Sequence, residues 1–124
     1  MSLVLIVEDN DKNMKLVRDV LQAKGHVTLE STTAEDGLQL ANEKVPDLIL
    51  MDIQLPGMNG IEALAHLRAN PVTAAIPVVA VTASVMQQDR NLITKAGFDA
   101  YVGKPISLRE FLDTVRDMLD RAKR

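Results

Sequence analysis

Carboxylate side chains recur in this sequence directly after short apolar runs. Residues 3–7 are followed by Glu8 and Asp9, and residues 48–51 are followed by Asp52. Three carboxylates brought together repel one another, so such a cluster is stable only with a bound cation or a raised pKa. Mg²⁺ is the natural cation, because it prefers oxygen ligands and is typically held by carboxylates together with phosphate oxygens. The pattern therefore predicts a magnesium site around Asp52.

Two further polar residues occupy comparable positions later in the chain. Thr82 follows an apolar run at residues 77–81, and Lys104 follows a shorter run at residues 100–102. A hydroxyl and an ammonium group beside a metal-bound carboxylate are suited to hold the oxygens of a phosphoryl group. Asp52 is then expected to act as a nucleophile that forms an acyl phosphate.

Each of these residues, taken alone, has an ordinary structural interpretation. A single aspartate at a strand end is more often a cap, a single threonine a turn hydroxyl, and a single lysine a solvated surface residue. Their order favours chemistry, because an acidic pair, an aspartate, a threonine and a lysine follow the first, third, fourth and fifth apolar runs.

Short apolar runs alternate with segments of helical spacing along the whole chain. Four or five apolar residues between helix breakers are typical of strands buried on both faces, as in parallel sheets. The sequence therefore predicts a flavodoxin-like (βα)5 fold, a doubly wound parallel sheet with helices on both faces. Periodicity does not give the strand order, but the order 2-1-3-4-5 would place a crevice between strands one and three. The predicted strands are residues 3–7, 27–30, 48–51, 77–81 and 100–102.

The last two predicted helices differ in how firmly they should be held. The fourth, opened by a capping box at Ser84, carries the polar residues 87–91 in a row and is expected to be the least anchored helix. The fifth follows Ser107, and its unbroken apolar stripe should pack against the sheet. The members of that stripe are Leu108, Phe111, Leu112, Val115 and Leu119.

Length and composition narrow the classes of function. The 124 residues are expected to form one domain, residues 1–124, without an output domain. A net charge of -3 argues against a nucleic-acid partner, and the absence of cysteine excludes disulfides and thiolate metal sites. No apolar run approaches membrane-spanning length and no export signal is evident, so a cytoplasmic protein without membrane insertion is expected.

Two other classes of function fit part of the pattern. Phosphatases of the haloacid-dehalogenase type also combine an aspartate nucleophile with Mg²⁺, threonine and lysine, but they need a second aspartate two residues later. Gln54 stands at that position and cannot exchange the proton, so an enzyme acting on outside phosphate esters is not expected. A nucleotide- or flavin-binding module is disfavoured because no glycine-rich loop follows the first strand.

The same motifs resemble the receiver domain of two-component response regulators, and the resemblance covers the whole chain. It implies that Asp52 is the phosphoacceptor. It also implies that Asp9 and Asp52 bind Mg²⁺ together with the backbone carbonyl of Gln54, and that Glu8 acts through a water. The matching stretches are Val7-Glu8-Asp9-Asn10, Leu50-Met51-Asp52-Ile53-Gln54-Leu55-Pro56, Asn59-Gly60, Val81-Thr82-Ala83 and Lys104-Pro105.

The resemblance further implies how the phosphoryl group is held and read. Thr82 and Lys104 would contact its oxygens, the Lys104-Pro105 peptide would be cis, and Tyr101 would be an aromatic switch. The phosphodonor would be a histidine kinase or a histidine phosphotransfer protein. A downstream signalling protein would bind the surface of the fourth helix, fifth strand and fifth helix. Within the family the motifs resemble a stand-alone regulator of bacterial cell division, and a receiver of a hybrid histidine kinase is the alternative.

Overall fold

Strands and helices alternate along the computed structural model, which describes residues 2–83 and 87–122. Of the predicted capping box at residues 84–87, residues 84–86 lie outside this part. The elements are β1 (Leu3–Val7), α1 (Asp11–Ala23), β2 (Val27–Ser31), α2 (Ala34–Lys44), β3 (Leu48–Asp52), α3 (Gly60–Ala69), β4 (Val78–Thr82), α4 (Gln87–Ala96), β5 (Ala100–Gly103) and α5 (Leu108–Ala122).

The five strands form one parallel sheet in the order β2-β1-β3-β4-β5, which confirms the predicted doubly wound fold. The register pairs Val7 with Met51, Asp52 with Val81, and Thr82 with Gly103. In parallel strands the carboxyl ends meet at one edge of the sheet, so β1, β3, β4 and β5 all deliver their following residues to the same place.

Alternate residues of the strands enter two separate hydrophobic clusters, one on each face of the sheet. Side chains point to opposite faces at successive positions, so Val4 and Ile6 face α1 and α5, whereas Leu5 and Val7 face α2 and α3. Both clusters are dense in aliphatic side chains, and Phe111 of α5 is fully buried in the first. Burial on both faces explains why β1, β3 and β4 consist of nearly continuous apolar runs, whereas the edge strands β2 and β5 are partly exposed.

Capping residues define the ends of the first two helices. The side chain of Asn10 accepts a hydrogen bond from Asn13 N at the start of α1, and Gly25, with φ of 88°, follows the helix end. Thr33 caps α2 in the same way, accepting from Asp36 N at 3.2 Å.

The stripe predicted for α5 is wrong at its first member. Leu108 is 47% exposed, although Phe111, Val115 and Leu119 are buried as expected. Leu108 is the first residue of the helix and lies beyond the end of β5 at Gly103, where the sheet no longer offers side chains to cover it.

In α4, Ile93 is buried whereas Leu92 is 58% exposed.

Within the described ranges, no helix is long and apolar enough to cross a membrane.

A guanidinium group ties together several segments at the amino-terminal edge of the sheet, opposite the strand ends that carry the polar residues. Arg68, in the last turn of α3, donates to Asp99 just before β5, and the same Asp99 oxygen accepts from the backbone N–H of Val78 at 2.8 Å. We call this set the Arg68 cluster. The acceptors of Arg68 are Ala74 O, Ile76 O, Gly97 O and Asp99 Oδ2, at 3.0, 2.7, 3.2 and 2.8 Å.

Candidate functional site

The carboxyl ends of β1 and β3 and the residue after β5 bring three charged side chains together. Lys104 Nζ lies 3.0 Å from Asp52 Oδ2 and 3.1 Å from Glu8 Oε1. Glu8 and Asp52 are 4% and 2% exposed, so both carboxylates are almost removed from water. Burying them together requires the lysine, because an unpaired buried charge is strongly destabilising.

A third carboxylate completes an acidic cluster on the open side of this pair. Glu8, Asp9 and Asp52 each offer a ligand oxygen, and these atoms lie within 4.8 Å of one another. Asp9 is exposed, so the cluster is open to solvent on one side. An all-oxygen donor set that leaves room for waters fits Mg²⁺, which dehydrates reluctantly.

Backbone hydrogen bonds between neighbouring segments hold the site residues in place. Glu8 N donates to Ser31 O at 2.9 Å, which fixes the residue after β1 against the end of β2. Lys104 N donates to Thr82 O at 2.8 Å, so the lysine backbone is anchored on the residue that ends β4. Thr82 itself is buried, at 3% exposure. The backbone positions of Glu8 and Lys104 are therefore fixed by hydrogen bonds to the ends of neighbouring strands.

Burial and hydrogen bonding separate the pKa values of the two buried carboxyls. Burial raises the pKa of Glu8 to about 7, and hydrogen bonding to Asp52 and its negative charge act in the same direction. Burial also acts to raise the pKa of Asp52, but hydrogen bonds from Glu8, Lys104 and Gln54 N outweigh it and leave that pKa below its ordinary value. Near neutral pH Glu8 is therefore about half protonated, whereas Asp52 is an ionised carboxylate suited to nucleophilic attack.

The two carboxyl groups of Glu8 and Asp52 stabilise the charged form of Lys104. Burial acts to lower the pKa of Lys104, but hydrogen bonds and charge interactions with Asp52 and Glu8 outweigh it and raise that pKa above its ordinary value. Lys104 is therefore a permanent cation beside the Asp52 carboxylate.

The structure brings Glu8, Asp9, Asp52, Thr82 and Lys104 to one edge of the sheet, as the sequence pattern requires.

The remaining predicted residues lie around this group or away from it. The backbone N–H of Gln54 donates to Asp52 Oδ1 at 3.0 Å, while its side chain is exposed. The Lys104-Pro105 peptide bond is cis. Tyr101 is 36% exposed, and the Arg90 guanidinium carbon lies 5.6 Å from the centre of its ring. Its aromatic side chain therefore faces outward in this structure.

Sequence reasoning missed the backbone groups that position the site. Ser31 contributes only its carbonyl oxygen to Glu8, and a backbone acceptor leaves no trace in residue type. The Arg68 cluster was also missed, since Arg68 and Asp99 are separated by 31 positions and neither belongs to a recognisable motif. The side-chain chemistry at strand ends was accessible from sequence, whereas these contacts depend on the three-dimensional packing.

A parallel sheet of this order, with an acidic cluster and a lysine at its switch point, is the arrangement expected of a receiver domain. The family model of the response regulator receiver domain matches residues 4–116, and the chain belongs to that family. It is similar to the polar-differentiation response regulator DivK of Brucella ovis, with 45% identity over 119 residues that cover 96% of this chain and 97% of the relative.

Solved structures agree with this assignment. A CheY-like response regulator receiver domain protein of Methanospirillum hungatei is 27% identical, with a TM-score of 0.90 and coverage of 99% of this chain and 97% of that chain. The receiver domain of a sensor histidine kinase of Pseudomonas aeruginosa, which has a magnesium ion coordinated in its active-site cleft, is 28% identical. Its TM-score is 0.89, with coverage of 96% of this chain and 98% of that chain.

Proposed function

We propose that the protein is a single-domain response regulator in which Asp52 accepts a phosphoryl group from a phosphohistidine, with Mg²⁺ as cofactor. The donor is a histidine kinase or a histidine phosphotransfer protein. The observation that carries this proposal is the buried, ionised Asp52 carboxylate, with Lys104 Nζ at 3.0 Å and an acidic cluster beside it. The membership of the receiver domain family supports the same function.

The proposed transfer is a single displacement at phosphorus. An oxygen of the Asp52 carboxylate forms a bond to phosphorus while the phosphorus–nitrogen bond to the donor histidine breaks. The electron pair of that bond stays on the imidazole nitrogen, which takes a proton from solvent. Lys104 and Thr82 then hold oxygens of the new acyl phosphate, where their donors stabilise the charge on the phosphoryl group. Hydrolysis reverses the modification: water attacks phosphorus, the bond between phosphorus and the Asp52 oxygen breaks, and inorganic phosphate is released. The only group that the protein phosphorylates and dephosphorylates is then its own Asp52.

The residues that would hold Mg²⁺ are Asp9 and Asp52, the backbone carbonyl of Gln54, and Glu8 through a water. When bound, the ion neutralises charge on the carboxylates and on the phosphoryl oxygens. The magnesium ion in the cleft of the Pseudomonas aeruginosa receiver domain supports this assignment. The chain's own contribution is to hold Asp52 ionised, and Gln54 N contacts one of its oxygens while Lys104 contacts the other.

The proposed output is a change in protein binding on the surface of α4, β5 and α5. Phosphorylation adds about -1.5 to -2 charge units at the end of the sheet. Thr82 would be drawn toward that charge, and Tyr101, now exposed beside Arg90, would turn inward. The similarity to a polar-differentiation regulator leads us to place this switch in the control of cell division or polarity. The partner is a histidine kinase or a related signalling protein.

The direct test is labelling by a small phosphodonor, read as a gain of one phosphoryl group in the intact mass. Labelling is expected with acetyl phosphate and Mg²⁺, and it should disappear when the metal is chelated, since the carboxylates and the phosphoryl oxygens would then repel one another. A phosphorylated histidine kinase should label the protein under the same conditions. Labelling that persists in excess chelator would contradict the metal dependence, and an absence of labelling by either donor would contradict the function.

The affinity for Mg²⁺ is expected to depend on pH because of the proton on Glu8. The pKa of Glu8 is raised to about 7, so below that pH the metal must displace a proton, whereas above it the carboxylate is already ionised. Mg²⁺ should therefore bind up to about tenfold more weakly at about pH 6 than at about pH 8. Isothermal titration calorimetry at both pH values measures this difference.

A Glu8→Gln variant is the control for this titration. It removes the group that takes up the proton, so its Mg²⁺ affinity should vary much less over the same pH range. An equal pH dependence in both proteins would assign the proton to another group.

A further inference from the structure

Gly60, the first residue of α3, lies directly against the carboxyl end of β3. Its N–H donates to Ile53 O at 3.0 Å. A Cβ built on Gly60 would lie 2.6 Å from the carbonyl oxygen of Asp52 and 2.9 Å from the Cα of Ile53. Real Cβ atoms essentially never come within 3.0 Å of another heavy atom in this way. Only glycine therefore allows the helix to begin this close to the strand.

The requirement for glycine here is one of space and not of backbone conformation. Gly57, in the loop before α3, has φ of 74°, and this backbone conformation by itself favours glycine. Gly60 is the first residue of a regular helix and is not among the residues of positive φ. Its value to the structure is therefore the close approach that it permits.

The atoms that Gly60 approaches are held from the other side as well. Ile53 N donates to Val81 O of β4 at 3.0 Å, so the peptide that follows Asp52 is fixed between β4 and the start of α3. The next residue, Gln54, donates its N–H to Asp52 Oδ1. A clash with backbone atoms cannot be relieved by a side-chain rotation, so an added methyl group must displace either the helix or this turn.

We propose that Gly60 is a positioning residue for the phosphoacceptor. By letting α3 close onto the Asp52–Ile53 peptide, it keeps Asp52 Oδ1 on the Gln54 N–H and leaves Oδ2 for Lys104. The inference rests on the proposed function of Asp52, and it adds a residue that touches neither phosphoryl group nor metal.

A second glycine offers a matched control inside another helix. A Cβ on Gly37 of α2 would also meet an atom too closely, Val7 Cγ2 at 2.8 Å, followed by Val7 Cγ1 at 3.3 Å. Those atoms belong to a side chain on the α2 face of the sheet, and none is part of the turn after β3. Gly37→Ala therefore introduces a contact of similar length, but with a side chain and not with the backbone, and it does not act on the Asp52 peptide.

The experiment compares Gly60→Ala with Gly37→Ala in the full chain, at a temperature where both are folded. Gly60→Ala is expected to weaken Mg²⁺ binding in calorimetry, and to slow labelling by acetyl phosphate, by about tenfold or more. The amide of Gln54 should also exchange its hydrogen faster in NMR, because its bond to Asp52 is loosened. Gly37→Ala should lose stability but keep all three properties within about twofold of wild type.

A milder pair of variants covers the case in which Gly60→Ala does not fold. Asn59→Ala removes the capping box with Glu62 that holds the first turn of α3, and Thr33→Ala removes the matching cap of α2. Asn59→Ala should speed exchange of the Gln54 amide and weaken Mg²⁺ binding, whereas Thr33→Ala should change neither.

Two results would overturn the role of Gly60. The first is a Gly60→Ala variant whose Mg²⁺ affinity and Gln54 amide exchange rate equal those of the wild type. If Gly60→Ala does not fold, the same result in Asn59→Ala counts instead. The other is an equal loss in a variant and its control, which would show that only general stability matters. The exchange of the Gln54 amide does not depend on phosphorylation, so it still tests the positioning role if wild type is never labelled.

Discussion

Replacement of Asp52 by asparagine is expected to reduce phosphoryl labelling below detection while the fold is retained. The amide is similar in size to the carboxylate but lacks the negative charge that attacks phosphorus. Lys104 keeps Glu8 Oε1 at 3.1 Å as a partner, so the buried cation is not left alone. The free energy of unfolding should therefore change by no more than about 1–3 kcal/mol. Measurement of the intact mass after acetyl phosphate treatment tests the loss of labelling. Unfolding in urea tests the change in the free energy of unfolding.

The same substitution has a second expected effect, on the proton of Glu8. Hydrogen bonding to Asp52 and its charge both raise the pKa of Glu8, after burial itself. With asparagine at this position the pKa of Glu8 should fall below about 7, and an NMR titration of the Glu8 carboxyl measures this.

Asp47→Asn is the matched control, since Asp47 lies just before β3 at the opposite edge of the sheet and accepts from Leu3 N at 2.7 Å. It should leave labelling intact. Undiminished labelling of Asp52→Asn would refute the assignment of the phosphoacceptor.

Arg68→Met is expected to lower the free energy of unfolding by about 2–4 kcal/mol, the largest loss we expect from a residue outside the candidate site. Methionine keeps the apolar stem but removes the donors to three backbone carbonyls and to Asp99. The side chains of Arg68 and Asp99 are 28% and 29% exposed, so water will replace part of what is lost. Urea unfolding followed by circular dichroism measures the change.

Arg116→Met serves as the control for the Arg68 cluster. Arg116 pairs with Asp113 at 3.3 Å, and their side chains are 67% and 52% exposed. An exposed pair of this kind contributes about 0–1 kcal/mol, so this variant should stay close to wild type. A similar loss of stability in both variants would mean that the Arg68 cluster has no special structural role.

The architecture was largely predictable from the sequence because the three inner strands, β1, β3 and β4, are buried on both faces. Continuous apolar runs such as residues 48–51 are what such burial demands, and glycines such as Gly25 lie where helices end. The prediction for Leu108 was wrong because helical spacing describes one face of a helix and does not say how far the neighbouring sheet extends.

The candidate site was predictable wherever chemistry resides in side chains at strand ends. Glu8, Asp52 and Lys104 follow apolar runs, and the parallel sheet brings their side chains together. The backbone contacts that hold these residues in position could not be predicted, because backbone atoms are the same in every residue type. The approach of Gly60 to the Asp52 carbonyl depends on distances between elements that no spacing pattern encodes.

The ion pairs of the site join residues that are far apart along the chain. Lys104 lies 52 positions after Asp52 and 96 positions after Glu8. Because a ribosome makes the chain from its amino terminus, a growing chain already contains the acidic cluster while the lysine has still to be synthesised. Until then Glu8 and Asp52 lack this cation, and β5 has not yet joined the edge of the sheet. The charge pairing of the candidate site is thus completed only after four of the five strands have been made.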